Sequence, residues 1–201
     1  MRIGLDLDNT LICYDALFYR VARESGLIPE SVAVSKGAVK SSVLSLHGNE
    51  AWTKLQAEVY GPRLFGATAY PGALKFVLKR KAAGHVFCIL SHKTQFDASG
   101  GGYDLRKAAL HWLEANRWIG AIDREDVEFH DTRGNKVQAI ARRKCDVFVD
   151  DLPEVFAEPG FPKATRRVLF DPDGTQESAP GGFLARSWEE VETLLFAPDS
   201  R

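Results

Sequence analysis

The stretch Gly4-Leu5-Asp6-Leu7-Asp8-Asn9-Thr10 sets two carboxylates two positions apart at the end of an apolar run. Burial disfavours an ionised carboxylate unless something stabilises it, and a like charge nearby raises the cost. The pattern asks for a cation. Three further segments carry groups of the same kind. Ser91 and His92 follow one apolar run, Asp150 and Asp151 close another, and Lys136 lies near the start of a helical stretch. A helix dipole disfavours a cation in its first turn, whereas Arg142, Arg143 and Lys144 take the favoured C-terminal end. Taken singly, a D-x-D in a turn, a serine after a strand or a lysine on a helix carries little information. In this order the set is specific: four carboxylates, one hydroxyl and one ammonium.

The elements that must position these groups read as an α/β chain. Residues 2–8, 85–90, 127–130, 146–150 and 167–170 form short continuous apolar runs, the pattern of buried parallel strands. Helical patterns alternate with them. Pro71 and Gly84 bracket one with Leu74, Val77 and Leu78 on a face; Asp104 caps another with a Leu105, Ala109, Trp112 stripe. A third turns Val137, Ile140 and Ala141 inward, and Ser187 with Glu190 opens the last as a capping box. The alternation predicts a doubly wound parallel sheet, whose ligands collect at the carboxyl ends of the strands. Between Leu11 and Tyr70 no strand signal appears. Helical patterns span 14–26 and 49–61, with a weakly helical 35–48 between them. So long a βα connection predicts an inserted helical cap over 13–69, with the core formed by 1–12 and 70–201. The glycine-rich 98–104 lacks the spacing of a phosphate-binding P-loop and reads as a flexible connection, and the tail APDSR as frayed.

Composition narrows the class. The chain has 201 residues, 45% hydrophobic and 26% charged, with a formal net charge of −1, ordinary for a soluble globular protein. No charge excess suggests nucleic acid or an anionic membrane, and no apolar run is long enough to cross a bilayer. The first strand starts at Arg2, leaving no room for a signal peptide. Cys13, Cys88 and Cys145 are widely spaced and form no paired motif, which predicts reduced thiols and a cytoplasmic setting.

The motifs resemble those of the haloacid dehalogenase-like hydrolase superfamily: LDLDNT for its D-x-D-x-T strand end, FCILS for its strand-closing Ser or Thr, GNKVQAI for its helix-borne Lys and VFVDD for its acidic pair. The insertion falls where that superfamily carries a helical C1 cap. The resemblance implies Mg²⁺-dependent hydrolysis of a small phosphomonoester through an aspartyl-phosphate. It makes Asp6 the nucleophile and Asp8 the general acid and base. Ser91 and Lys136 would hold the phosphate, with main-chain amides near Asp8, Asn9 and His92 as further donors. The His92 side chain reads either as part of the chemistry or as a supporting or surface group. Metal ligation is implied for Asp6, the Asp8 carbonyl and the acidic pair, Asp151 directly and Asp150 directly or through water. An acid at position 8 argues for phosphate chemistry rather than carbon–halogen cleavage.

The same intermediate serves phosphotransferases and phosphomutases, which differ in the acceptor. A receiver-like signalling module also combines an acidic cluster, a Ser/Thr and a Lys, but places its acceptor on a middle strand and has no cap. The expected partner is a small phosphorylated metabolite, a nucleotide or a sugar phosphate, with oligomeric state left open. Cap residues available for selecting it are Lys36, Lys40, His47, Trp52, Lys54 and Arg63, with Phe18 and Tyr19 near the hinge.

Overall fold

A computed structural model gives the fold and describes residues 1–179 and 181–197. The tail expected to fray lies, beyond Ala197, outside the described residues. Among the described residues the strands are β1 (Arg2–Leu5), β2 (Ile12–Cys13), β3 (Thr68–Ala69), β4 (Val86–His92), β5 (Val127–His130), β6 (Val147–Asp150), β7 (Arg166–Phe170) and β8 (Phe183–Ala185). Six of them form one sheet in the order β5-β4-β1-β6-β7-β8, parallel throughout. The fold is the doubly wound α/β sheet that the alternating patterns predict. β1 stops at Leu5, short of the expected Asp8, while β4 runs on to His92. β8 carries no sequence signal of its own, because three residues beside glycines are too short for a period to show.

The chain divides into two compact units. The first holds the six-stranded sheet and comprises 1–11, 69–92 and 117 onward. On one face of the sheet Cys88, Leu90, Phe148 and Leu169 pack with Val137 and Ile140 of helix Arg133–Arg142. On the other, Phe76 of helix Ala73–Ala82 meets Phe87 and Trp188, with ring centroids 5.9 and 5.3 Å apart. That packing rotates the helix from its expected stripe: Ala73, Phe76 and Val77 face inward and Leu78 is 51% exposed. In helix Arg133–Arg142 the inward alanine is Ala139, and Ala141 is exposed. Gly4 of β1 pairs with both Cys88 and Phe148. A Cβ there would lie 2.5 Å from the Phe148 ring and 2.9 Å from Cys145 Sγ. Only glycine admits that approach. All three cysteines are free thiols, Cys88 and Cys145 with their sulfurs 3.7 Å apart in the core.

The second unit comprises Ile12–Thr68 and Lys93–Asn116. Helix Asp15–Glu24 packs on the helical stretch Lys36–Tyr60, which Gly48 (φ 77°) divides into two. The first of these is capped by Ser35, whose side chain accepts the Ala38 N–H. Phe18 stacks on Trp52 at 5.1 Å, and Val39, Val43 and Leu55 are buried on the same helical stretch as Trp52. The short strands β2 and β3 occupy a stretch that carries no strand pattern in sequence. Helix Leu105–Ala115 opens on Asp104, whose side chain accepts the Lys107 N–H, and buries Leu105, Ala109 and Trp112 as its periodicity predicts. The glycine-rich connection before it is organised rather than loose. The Asp97 carboxylate accepts the N–H groups of Ser99, Gly101 and Tyr103 at 2.9, 3.1 and 2.8 Å.

Candidate active site

The parallel register carries four loops to the same edge of the sheet. Asp6 is the first residue past β1, where its N–H still donates to the Val149 carbonyl at 2.9 Å. The residue is 4% exposed. Asp150 closes β6 and is fully buried; its Oδ1 accepts the Leu152 N–H at 3.0 Å. Between these carboxylates stands Lys136, with Nζ 2.5 Å from Asp6 Oδ1 and 2.6 Å from Asp150 Oδ2. Thr132 sets the start of the lysine's helix by accepting the Asn135 N–H, so the ammonium is delivered one turn inside the helix. Asp151 is partly exposed, and its Oδ2 accepts from Asn9 Nδ2 at 3.2 Å. Asn9 itself is left-handed (φ 59°), a conformation that asparagine tolerates better than most residues.

The structure therefore brings together Asp6, Lys136, Asp150, Asp151 and Asn9. Asp8, partly exposed, follows Asp6 closely enough for its charge to act on it. Ser91, the penultimate residue of β4, is 1% exposed, and its hydroxyl makes no hydrogen bond among the described residues. The buried Thr10 hydroxyl is in the same state. A buried hydroxyl without a partner is costly, and native structures keep few of them. His92 is exposed, with Nε2 3.1 Å from the Asp131 carbonyl.

Electrostatics here are a conflict between burial and pairing. Burial lifts the Asp6 carboxyl to about 7; Lys136 opposes the rise, and Asp150 and Asp8 add to it. Burial also presses the Lys136 amine down, but Asp150 and Asp6 outweigh it and hold the ammonium above the ordinary lysine range. One ammonium thus faces more negative charge than it can balance. The donor set fits a hard dication. Asp6, Asp150 and Asp151 each offer an oxygen, all within 4.8 Å of one another. Two oxygens on one Mg²⁺ lie at most about 4.2 Å apart, so a small side-chain adjustment completes the fit.

Of the residues available for substrate selection in the helical unit, most have structural duties. Trp52 is 5% exposed and stacked on Phe18, which is itself buried. His47 Nε2 lies 3.1 Å from the Leu27 carbonyl, and Tyr19 donates to the Glu30 carbonyl. Lys54 pairs with Glu50 and Arg63 with Glu24. Lys40 is exposed. Lys36 differs, lying over the rings of Phe18 and Tyr60. Lys93, which the motifs did not single out, is 5% exposed. Its signal was available: a lysine directly after a strand-closing Ser-His pair. A cavity of about 670 Å³ also opens in this unit, lined by Phe65, Tyr103, Lys107 and His111 among others. None of its lining residues belongs to the carboxylate cluster.

No protein-family model matches the chain, and no curated protein does. Solved structures do. A dehalogenase with an intermediate complex superposes with a TM-score of 0.62 at 17% identity, over 98% of this chain and 97% of that one. A HAD family hydrolase from Deinococcus radiodurans, with bound phosphate and sodium, gives 0.61 at 16% identity over 96% and 94%. A HAD-hydrolase from Bacillus subtilis bound to magnesium gives 0.60 at 11% identity over 96% and 97%. The chain has the haloacid dehalogenase-like fold.

Proposed function

We propose that the protein is a Mg²⁺-dependent phosphatase that hydrolyses a small phosphomonoester through an aspartyl-phosphate on Asp6. The observation that carries this reading is the Asp6–Lys136–Asp150 contact, at 2.5 and 2.6 Å, on the sheet edge where Asp151 and Ser91 also stand. Phosphate bound to the Deinococcus hydrolase of the same fold supports it. Mg²⁺ held by Asp6, the Asp8 carbonyl, Asp151 and Asp150 (directly or through water) would supply the positive charge that screens nucleophile from phosphate.

The chain's own residues do the rest. Lys136 keeps Asp6 oriented and favours its ionised form. An Asp6 oxygen attacks phosphorus as the bond to the leaving oxygen breaks, and Asp8 gives that oxygen its proton. The Asp8 carboxylate then takes a proton from water, whose oxygen attacks the phosphoryl group; phosphate leaves and Asp6 is restored. The Ser91 hydroxyl donates to a phosphoryl oxygen, with the amides near Asn9 and His92 as further donors. An acid at position 8 separates this chemistry from carbon–halogen cleavage, whose leaving halide needs no proton.

The test is a panel of phosphorylated metabolites with purified protein and Mg²⁺, read as phosphate release, beside the Asp6→Asn variant. Release by the wild type and none by the variant is expected. Release by both would remove Asp6 as nucleophile. A product phosphorylated on an added alcohol, without free phosphate, would identify a phosphotransferase instead.

A further inference from the structure

We infer that the cavity of the helical unit, beside the turn Leu64–Gly66 and the helix Leu105–Ala115, binds a small planar aromatic acid, with its rings against Phe65 and Tyr103 and its carboxylate at Lys107 and His111. The inference stands apart from the phosphatase reading. Every lining residue belongs to the helical unit, and none to the unit that carries Asp6.

The volume of about 670 Å³ falls inside the range of roughly 300–1,000 Å³ that small-molecule sites occupy. One wall is a single helix face. Lys107, His111 and Ala115 follow at four-residue steps, with Ala108 and Trp112 beside them. The two alanines leave room that longer side chains would fill. Trp112 is held in place: it is buried, and its indole N–H donates to the Ala67 carbonyl at 3.0 Å. Tyr103 is placed by the glycine-rich loop. Asp97 Oδ2 accepts the Tyr103 N–H at 2.8 Å, the Asp97 N–H donates to the Tyr103 carbonyl at 3.2 Å, and the Leu105 N–H donates to the Gln95 carbonyl at 2.8 Å. Gly61 sits close against it. A Cβ there would lie 3.0 Å from Tyr103 Cβ and 2.7 Å from the Ala57 carbonyl oxygen. Ordering a loop that contains Gly100, Gly101 and Gly102 is entropically costly. Its outcome is one aromatic side chain fixed in the lining of a cavity.

Folding does not ask for these aromatic groups. Phe65 is 79% exposed and Tyr103 38%, and apolar surface left in water adds nothing to stability. Exposed rings that line a cavity mark a surface which a ligand covers. The polar groups of the lining choose the charge. Asp104 is engaged: its Oδ1 accepts the Lys107 N–H at 2.8 Å and its Oδ2 accepts from Gln95 Nε2 at 3.4 Å. The Lys107 ammonium makes no ion pair, and the His111 ring no hydrogen bond, among the described residues. Four residues apart on one helix face, the two stand as neighbours and can each donate to an oxygen of one carboxylate. A cationic ligand would meet Lys107 directly, and an aliphatic acid would leave the rings without a stacking partner. A planar aromatic acid answers both.

The probe is 2-naphthoate, compared with the neutral 2-naphthamide and the non-aromatic cyclohexanecarboxylate. Titration calorimetry at neutral pH uses the full chain in chelator, so that no metal at the carboxylate cluster captures the acid. Wild type is expected to bind 2-naphthoate about fivefold more tightly than either comparison compound, the upper scale of an exposed ion pair. Lys107→Met should bring acid and amide to within about twofold of each other, and Lys107→Arg should keep most of the preference. Phe65→Ser should weaken 2-naphthoate by about fivefold, the scale of one aromatic contact. Lys107 and Phe65 are exposed, so the variants keep the fold. No saturable binding at millimolar 2-naphthoate overturns the inference, as does equal affinity for the acid and either comparison compound. Unchanged 2-naphthoate affinity in Lys107→Met or in Phe65→Ser overturns it too. A wild-type dimer in sedimentation that Phe65→Ser dissolves would give the cavity to a second copy of the chain instead.

Discussion

At Asp6 burial and Lys136 pull in opposite directions, and the balance has a measurable sign. The folded carboxyl titrates near 7 against 3.8 ordinarily, chiefly through burial. As pH rises from about 4 to about 7 the unfolded chain gives up this proton first. The folded state binds more protons in that window, so its stability falls across it. Asp6→Asn has no such proton. In chelator, denaturant melts should show wild type losing stability relative to Asp6→Asn between pH 4 and 7, with a constant difference above; a difference independent of pH contradicts the assignment. Asp8→Ala should slow alkyl phosphates far more than p-nitrophenyl phosphate, because only a poor leaving group needs the proton. A uniform loss across that series counts against Asp8 as the acid. Ser91→Ala removes a hydroxyl that is buried without a hydrogen bond among the described residues. It should lower kcat by roughly 10²–10³, the scale of losing one transition-state donor, without lowering the melting temperature. A variant that melts lower instead would make Ser91 a structural residue.

The elements hold these groups through contacts that sequence shows unevenly. Gly4 lets β4 and β6 close on β1, so Gly4→Ala should cost about 1–3 kcal/mol in urea unfolding, the range for overpacking a tight core. An unchanged midpoint would mean that Phe148 and Cys145 yield freely. Core strands were legible because their apolar runs are continuous, and the caps Asp104 and Ser187 because their side chains have one local job. Helix faces were less so: Phe76 and Ala139, not Leu78 and Ala141, point inward, since the partner across the interface decides the rotation. The order 97–103 owes to Asp97 was hidden too, because glycine content signals freedom and says nothing of a carboxylate that gathers the amides. Ser99 is the main support that holds that carboxyl at about 2, with backbone N–H groups adding to it. The depressed value makes its contribution full above pH 4 and lost as pH falls toward 2. Asp97→Ala should therefore speed protease cleavage within 97–103 at neutral pH, and equal cleavage rates would deny the loop its organiser.

For the whole molecule, a dication that binds the folded state alone must raise its stability. Mg²⁺ at ten times its Kd should add about 1.4 kcal/mol. Thermal melts should show the shift in wild type and not in Asp151→Asn; a shift kept by the variant places the ion elsewhere. The strand-end cluster was readable at this scale because a parallel sheet gathers its loop ends wherever they fall in sequence. The helical unit has an awkward lineage in the chain: Ile12–Thr68 and Lys93–Asn116 come from separate excursions. Trp112 from the second donates its indole N–H to the Ala67 carbonyl of the first, at 3.0 Å. Neither excursion can be trimmed away alone without baring the other's apolar side, so any shortened chain must lose both together, and any graft of this unit onto another protein of the same fold must transplant two loops at once.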